Sequence, residues 1–128
     1  MVAKVEKICG YDEFVASIGK LAKTAENVNV LFTGKKDETG HSWCPDCNDA
    51  EPFVKKYGID NAAPDSLFVI VDVGDRPTWK DMKNSFRLDR NTHLSVIPTL
   101  INWNEKAKRL EGDQLCKPEL LDMYFEQD

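Results

Sequence analysis

Hydrophobic positions along this chain fall into short blocks with two different spacings. Residues 4–9 (KVEKIC) alternate closely enough for a short strand, and 28–33 (VNVLFT) and 67–73 (LFVIVDV) are β-branched and apolar. The run 67–73 is the strongest strand signal: near-continuous apolar sequence suits a strand covered on both faces, so it is placed centrally in a sheet. Between these blocks, 11–26 carries Phe14, Val15, Ile18, Leu21 and Ala22 at helical spacing. Residues 45–57 do the same with Ala50, Phe53, Val54 and Tyr57. Pro52 lies inside this second helix, where it removes a backbone donor and predicts a kink near the middle.

Further along, 79–88 predicts a short helix, and 100–103 and 108–110 predict two short strands about a turn at Asn104 and Glu105. Residues 116–125 predict a closing helix with Pro118 near its first turn, where a missing N–H costs nothing. The order β-α-β-α-β-α-β-β-α predicts an α/β fold with a central mixed sheet flanked by helices on both faces. Parallel crossovers come first and a hairpin last. No repeat, low-complexity tract or linker breaks the pattern, and 128 residues suit one domain, 1–128.

Composition narrows the function classes. A chain 41% hydrophobic and 30% charged is an ordinary globular protein, neither disordered nor fibrous. With a formal charge of −5 and only isolated lysine pairs (Lys35 with Lys36, Lys55 with Lys56), it has no electrostatic footprint for nucleic acid or an anionic membrane. No apolar run approaches the roughly 18 residues needed to span a bilayer. The opening MVAKVEKICGYDEF scatters charges where a secretory signal needs an unbroken apolar stretch, so a cytoplasmic monomer is expected.

A reducing compartment disfavours structural disulfides, so some of the four cysteines are expected to be working thiols or inert core residues. The informative segment is Trp43-Cys44-Pro45-Asp46-Cys47. Two cysteines separated by two residues at a helix start close a disulfide across one turn, and the helix N-terminus aims backbone N–H groups at the first sulfur. Those dipoles favour a thiolate and lower Cys44 below the value of about 8.5 of a free cysteine. Only a thiolate attacks a disulfide. Cys47, one turn inside and less exposed, then resolves the mixed disulfide. The same spacing is half of a zinc site, but Cys9 and Cys116 stand alone at opposite ends and His41 and His93 show no paired spacing, so no metal is expected. Cys9 and Cys116 are read as structural, because cysteine is among the most buried residue types. His93, in a polar stretch, is read as a surface residue.

The strand ending VLFT, WCPDC opening a helix, Pro52 within that helix, and Ile97-Pro98-Thr99 before the next strand together resemble the thioredoxin superfamily over nearly the whole chain. Within it the chain is similar to the family of thioredoxin-related 14 kDa proteins, also called thioredoxin domain-containing protein 17. The marks of that family are the long loop TGKKDETGHSWCPDC, AEP after the motif, and VGDRPTWKD followed by NSFR. The resemblance implies a thioredoxin fold and a cytosolic protein-disulfide reductase with a role in cell redox homeostasis and peroxidase activity. It implies no bound cofactor, electrons from NADPH through thioredoxin reductase, and substrates that are disulfide-containing proteins or small disulfides, distinct in range from those of thioredoxin.

The resemblance also implies site roles. Cys44, Pro45, Asp46 and Cys47 are the catalytic candidates, and Trp43, Ile97 and Pro98 the substrate-binding ones. Pro98 resembles the superfamily's cis-proline, which sits against the active-site disulfide and leaves the preceding backbone free to pair with a substrate strand. Trp43 resembles the exposed tryptophan flanking the motif; a fully buried indole beside the attacking sulfur would block access. One position departs from the pattern. Where thioredoxin carries a buried aspartate as proton acceptor for the resolving thiol, this chain has Leu31. Asp46 is then either the base or only a helix cap, and both roles stay open. The loop 34–42 is longer than thioredoxin's approach to its motif and is expected to reshape the docking surface. Trp79, Lys80 and Asp81 are further candidates for that surface, with Trp79 mostly packing. Two rival functions remain: a redox-insensitive adaptor, which would survive loss of both motif cysteines, and a glutathione-dependent enzyme, which usually carries a glycine pair where this chain has Glu111-Gly112-Asp113.

Overall fold

The structure is a computed structural model and describes residues 2–126. Met1, Gln127 and Asp128, at the ends of the expected domain, lie outside the described residues. Strands β1 (Lys4–Cys9), β2 (Asn27–Thr33), β3 (Ser66–Asp72), β4 (Thr99–Asn102) and β5 (Arg109–Glu111) form one sheet in the order β1-β3-β2-β4-β5. β3 runs parallel to both β1 and β2, while β4 runs antiparallel to β2 and to β5. The apolar run expected at the centre is therefore interior, and the middle place itself belongs to β2.

Side chains alternate across the strands, so each strand feeds two cores. Val28, Val30 and Phe32 of β2 and Leu67, Val69 and Val71 of β3 face α1 (Tyr11–Leu21), α3 (Arg76–Lys80) and α4 (Ser85–Leu88), which contribute Phe14, Ile18, Trp79 and Phe86. Leu31, Phe68 and Leu100 face the opposite way, onto Ala50 and Val54 of α2 (Pro45–Val54) and Leu121 and Tyr124 of α5 (Pro118–Phe125). Helices thus cover both faces. On the first face Phe14, Phe32 and Phe86 meet pairwise with ring centroids 5.5, 5.7 and 5.8 Å apart. Each such pair adds about 0.5–1.5 kcal/mol beyond the area it buries. On the second, the Tyr124 hydroxyl donates to Asn29 Oδ1 at 2.7 Å, which satisfies a buried polar pair. Burial holds the Tyr124 phenol well above the usual tyrosine range.

Several boundaries differ from the sequence pattern, each for a local reason. α1 stops at Leu21 rather than 26, because Thr24 Oγ1 takes the Leu21 carbonyl at 2.7 Å and the last turn tightens. The helix over 45–57 continues through Pro52. It remains α-helical to Val54 and then passes into a π turn, Lys55–Ile59, where the Asp60 N–H reaches back to the Lys55 carbonyl. The expected helix over 79–88 is two helices. Asp75 accepts from Thr78 N to cap α3, and Asn84 accepts from Phe86 N to cap α4, so short polar side chains divide the segment. At the C-terminal end a 3₁₀ segment, Gly112–Cys116, precedes α5, since Pro118 disfavours helical backbone at Lys117.

Candidate functional site

The motif is delivered by a loop that folds on itself. In 34–42, Asp37 Oδ1 accepts from Thr39 N at 2.8 Å, Thr39 Oγ1 at 2.6 Å and His41 N at 3.2 Å, while Asp37 N donates to the His41 carbonyl. The Thr39 hydroxyl, then the two amides, hold the Asp37 carboxyl below its ordinary range. At the loop's base a side chain at Gly34 would lie 2.8 Å from Ser42 Oγ and 3.0 Å from the Trp43 ring, so only glycine fits. Ser42 is the hinge of the arrangement. Its Oγ donates to the Gly34 carbonyl and accepts from Cys44 N, and its backbone exchanges both hydrogen bonds with the Asn48 amide.

α2 then begins at Pro45, which suits a first helical position. Cys44 is the N-cap, and its Sγ accepts from Cys47 N at 3.2 Å. The capping acceptor is thus the cysteine sulfur, not Asp46. Asp46 is exposed in the first turn. Cys44 and Cys47 are joined as a disulfide with Cα atoms 5.2 Å apart, within the ordinary bridging range. Cys47 was expected to be the less exposed of the two, yet exposures are 5% for Cys44 and 4% for Cys47. The difference vanishes because the closed pair packs into one core and the Ile97 carbonyl oxygen lies 3.9 Å from Cys44 Sγ.

The Ile97-Pro98 peptide bond is cis. The fold brings it, from the start of β4, to the sulfurs at the start of α2. Trp43 departs from expectation: it is half-buried, with its indole N–H donated to the Gly74 carbonyl at 2.9 Å and its ring against the core. The amphipathic indole anchors the motif to the turn after β3 while one edge stays open. Trp79 is buried and stacked under the Arg87 guanidinium, 3.8 Å from the ring centroid, while Lys80 and Asp81 are exposed. His93 is exposed, as its polar surroundings suggest.

Cys9 is not a core residue. It ends the edge strand β1, is exposed, and directs its Sγ to Asp72 Oδ2 at 3.8 Å. Partial burial of the sulfur, then the Asp72 and Glu13 carboxylates, push its thiol up. Cys116 is half-buried, and burial followed by Asp49, Asp46 and Asp113 pushes it up as well. Sequence reasoning missed Ser42, Asn48 and Gly74, which fix the motif. It also missed the pair Lys36 Nζ to Glu51 Oε1, at 2.7 Å, which ties the loop to α2 beside Cys47. Only the asparagine one residue after the motif and the serine two before it hinted at this clamp.

A mixed sheet of this topology carrying a two-cysteine disulfide at a helix start and a cis-proline beside it defines a thioredoxin-fold protein with the groundwork for thiol-disulfide chemistry. Solved structures agree on the fold: reduced Schistosoma mansoni thioredoxin pre-protein superposes with a TM-score of 0.59 over 97% of this chain and 100% of that one, at 20% identity. Fasciola hepatica thioredoxin gives 0.57 over 94% and 95%, at 16% identity. Residues 7–127 match the model of the thioredoxin domain-containing protein 17-like thioredoxin domain, and the chain belongs to that family. Thioredoxin domain-containing protein 17 of Mus musculus is 33% identical over 121 residues, 94% of each chain. The thioredoxin-like protein Clot of Arabidopsis thaliana is 37% identical over 95 residues, 72% of this chain and 70% of its own.

Proposed function

We propose that the protein is a cytoplasmic protein-disulfide reductase. The observation that carries this reading is the Cys44–Cys47 disulfide at the N-terminus of α2, facing the backbone of Ile97. In the reduced protein, the Cys47 N–H that now points at Cys44 Sγ and the dipole of the helix start stabilise a thiolate there. That thiolate attacks a substrate disulfide, and Cys47 displaces the reduced substrate and closes the Cys44–Cys47 bond. The oxidised pair is re-reduced by thioredoxin reductase with electrons from NADPH, and the protein itself holds no cofactor. Pro45 sets the first turn, and Ile97 and Pro98 offer backbone to an extended substrate. Trp43 and the loop 34–42 shape the surface, giving a substrate range different from that of thioredoxin.

The test follows NADPH consumption with thioredoxin reductase and a panel of protein and small disulfides, beside non-reducing electrophoresis of two variants. Cys47→Ser should stall as a covalent mixed disulfide, and Cys44→Ser should form none. Reversed trapping would exchange the two roles. If neither variant traps a disulfide and both keep their protein partners, the chain is an adaptor.

A further inference from the structure

We propose that Glu51 is the proton acceptor for Cys47 in the step that resolves the mixed disulfide, a role that rests on the reductase reading above. Resolution requires Cys47 as a thiolate, yet Cys47 is 4% exposed and one turn further from the helix start than Cys44. The strands beneath it offer no base: Leu31 and its register partner Ile70 are both apolar. They form part of a cavity of about 210 Å³ that Cys47 and Pro98 also line. One water needs only roughly 10–15 Å³ of such space, so the cavity has room for a proton relay. Among its lining residues Glu51 supplies the carboxylate.

Helix geometry separates Glu51 from the other acids of α2. Residues 47 and 51 are four apart and share a face, whereas 46 is displaced by about 100° around the axis. Asp46 and Asp49 lie on the side of Cys116, whose thiol they push up after burial. Glu51 is held in place from outside the helix. Lys36, in the loop 34–42, binds its Oε1 at 2.7 Å, and among the described residues Oε2 makes no hydrogen bond. The pair is about half exposed, at 42% and 52%, so it contributes little to stability, and its placement asks for another explanation.

Lys55, on the same cavity, is bound to Asp60 at 2.7 Å. A second cavity of about 360 Å³ shares Thr33, Lys36, Glu51 and Ile70 with the first, and brings Lys7 and Lys35 near. Its two other acids are turned to Cys9 and its surroundings: Glu13 accepts from Cys9 N, and Asp72 from Cys9 Sγ and Gly74 N. Of these three acids Glu51 alone borders both spaces, and it shares the lining of the first with Cys47.

In the step itself the Cys47 S–H proton passes through cavity water to the Glu51 carboxylate. The Cys47 sulfur attacks Cys44 Sγ, and the Cys44–Cys47 bond forms as the bond from Cys44 to the substrate sulfur breaks. The bonding pair leaves on that sulfur, which takes a proton from water. The substrate gains two electrons and the cysteine pair loses two.

The test uses the full chain with Cys9→Ser and Cys116→Ser, reduced and mixed with the aromatic disulfide dithiobis-nitrobenzoate. The first equivalent of coloured thiolate reports attack by Cys44, and the second reports resolution by Cys47. Glu51→Gln should leave the first phase unchanged and slow the second by about a hundredfold at neutral pH, the lower end for a positioned proton acceptor. The deficit should shrink as pH rises and solvent deprotonates Cys47 unaided, and Glu51→Asp should recover part of the rate. A second phase at the parent rate overturns the proposal. So does a loss that is the same at every pH, which would mark a structural role, or a slowing seen with Asp46→Asn in place of Glu51→Gln. Absence of the first phase in the parent would instead overturn the reductase reading, and the proposal with it.

Discussion

The four cysteines divide into two pairs with opposite surroundings. Cys44 and Cys47 are almost fully buried, but the Cys44 sulfur meets the Cys47 N–H at the start of a helix. Cys9 and Cys116 are more accessible, yet each sits among carboxylates: Asp72 and Glu13 about the first, Asp49, Asp46 and Asp113 about the second. Exposure alone would rank Cys9 as the most reactive thiol. The electrostatics rank it near the bottom, because only the thiolate reacts and every carboxylate nearby disfavours that form. What distinguishes the Cys44–Cys47 pair is the N–H donor at Cys44, which the chain obtains by placing a cysteine where a helix start has no backbone acceptor for it.

The largest effect that would break this contrast is in alkylation of the reduced protein by iodoacetamide as a function of pH. Cys44 should titrate below the ordinary cysteine value of about 8.5, since the helix start favours its thiolate. Cys9 and Cys116 should react only at higher pH, because burial and then the neighbouring carboxylates push both thiols up. Peptide mapping at several pH values gives the order directly. Labelling of Cys9 before Cys44 near neutral pH would show that accessibility outweighs local charge.

A smaller effect concerns what holds each pair in place. Ser42→Ala removes the acceptor for Cys44 N in a buried position, so a backbone donor is left unpaired at a cost of about 1–3 kcal/mol. Cys9→Ser, on the exposed end of an edge strand, should stay within about 0.5 kcal/mol of the parent. Thermal melts of the two variants under reducing conditions measure the difference. Equal melting temperatures would mean that the Ser42 hub is dispensable and that the loop is positioned by other contacts.

Legibility in the sequence follows the range of the interactions involved. The order of strands and helices was readable because β-branched runs and helical spacing are local signals, and WCPDC announces its own chemistry through spacing. Thr24, Asp75 and Asn84 shifted element ends because a short polar side chain competing for a backbone group leaves no mark in the apolar pattern. Pro52 announced a disturbance but not its form, a π turn that begins three residues later. Cys9 was misplaced in the core because strand order decides which strand is an edge, and β1 became one only through its pairing with β3. Glu51 and Lys36 each look like ordinary surface charges. Their meeting beside Cys47 depends on how the loop 34–42 folds back over α2, a tertiary fact with no local signature.

The smallest effect tests the order of causes at Cys9. Partial burial of its sulfur comes first, Asp72 and Glu13 follow, and Lys35 acts weakly in the opposite sense. Asp72→Asn removes one carboxylate while keeping an acceptor for the Gly74 amide, which Asp72 Oδ1 now binds at 2.7 Å. The Cys9 thiolate should then form at lower pH, because a negative charge that disfavoured it is gone. The shift should be incomplete, since burial and Glu13 remain. In the reduced protein, the pH at which Cys9 is half-alkylated should therefore move down without reaching that of Cys44, and Cys116 should not move. A fall of Cys9 all the way to the Cys44 value would mean that one carboxylate, rather than the helix start, separates the two pairs. No movement would assign the whole displacement to burial.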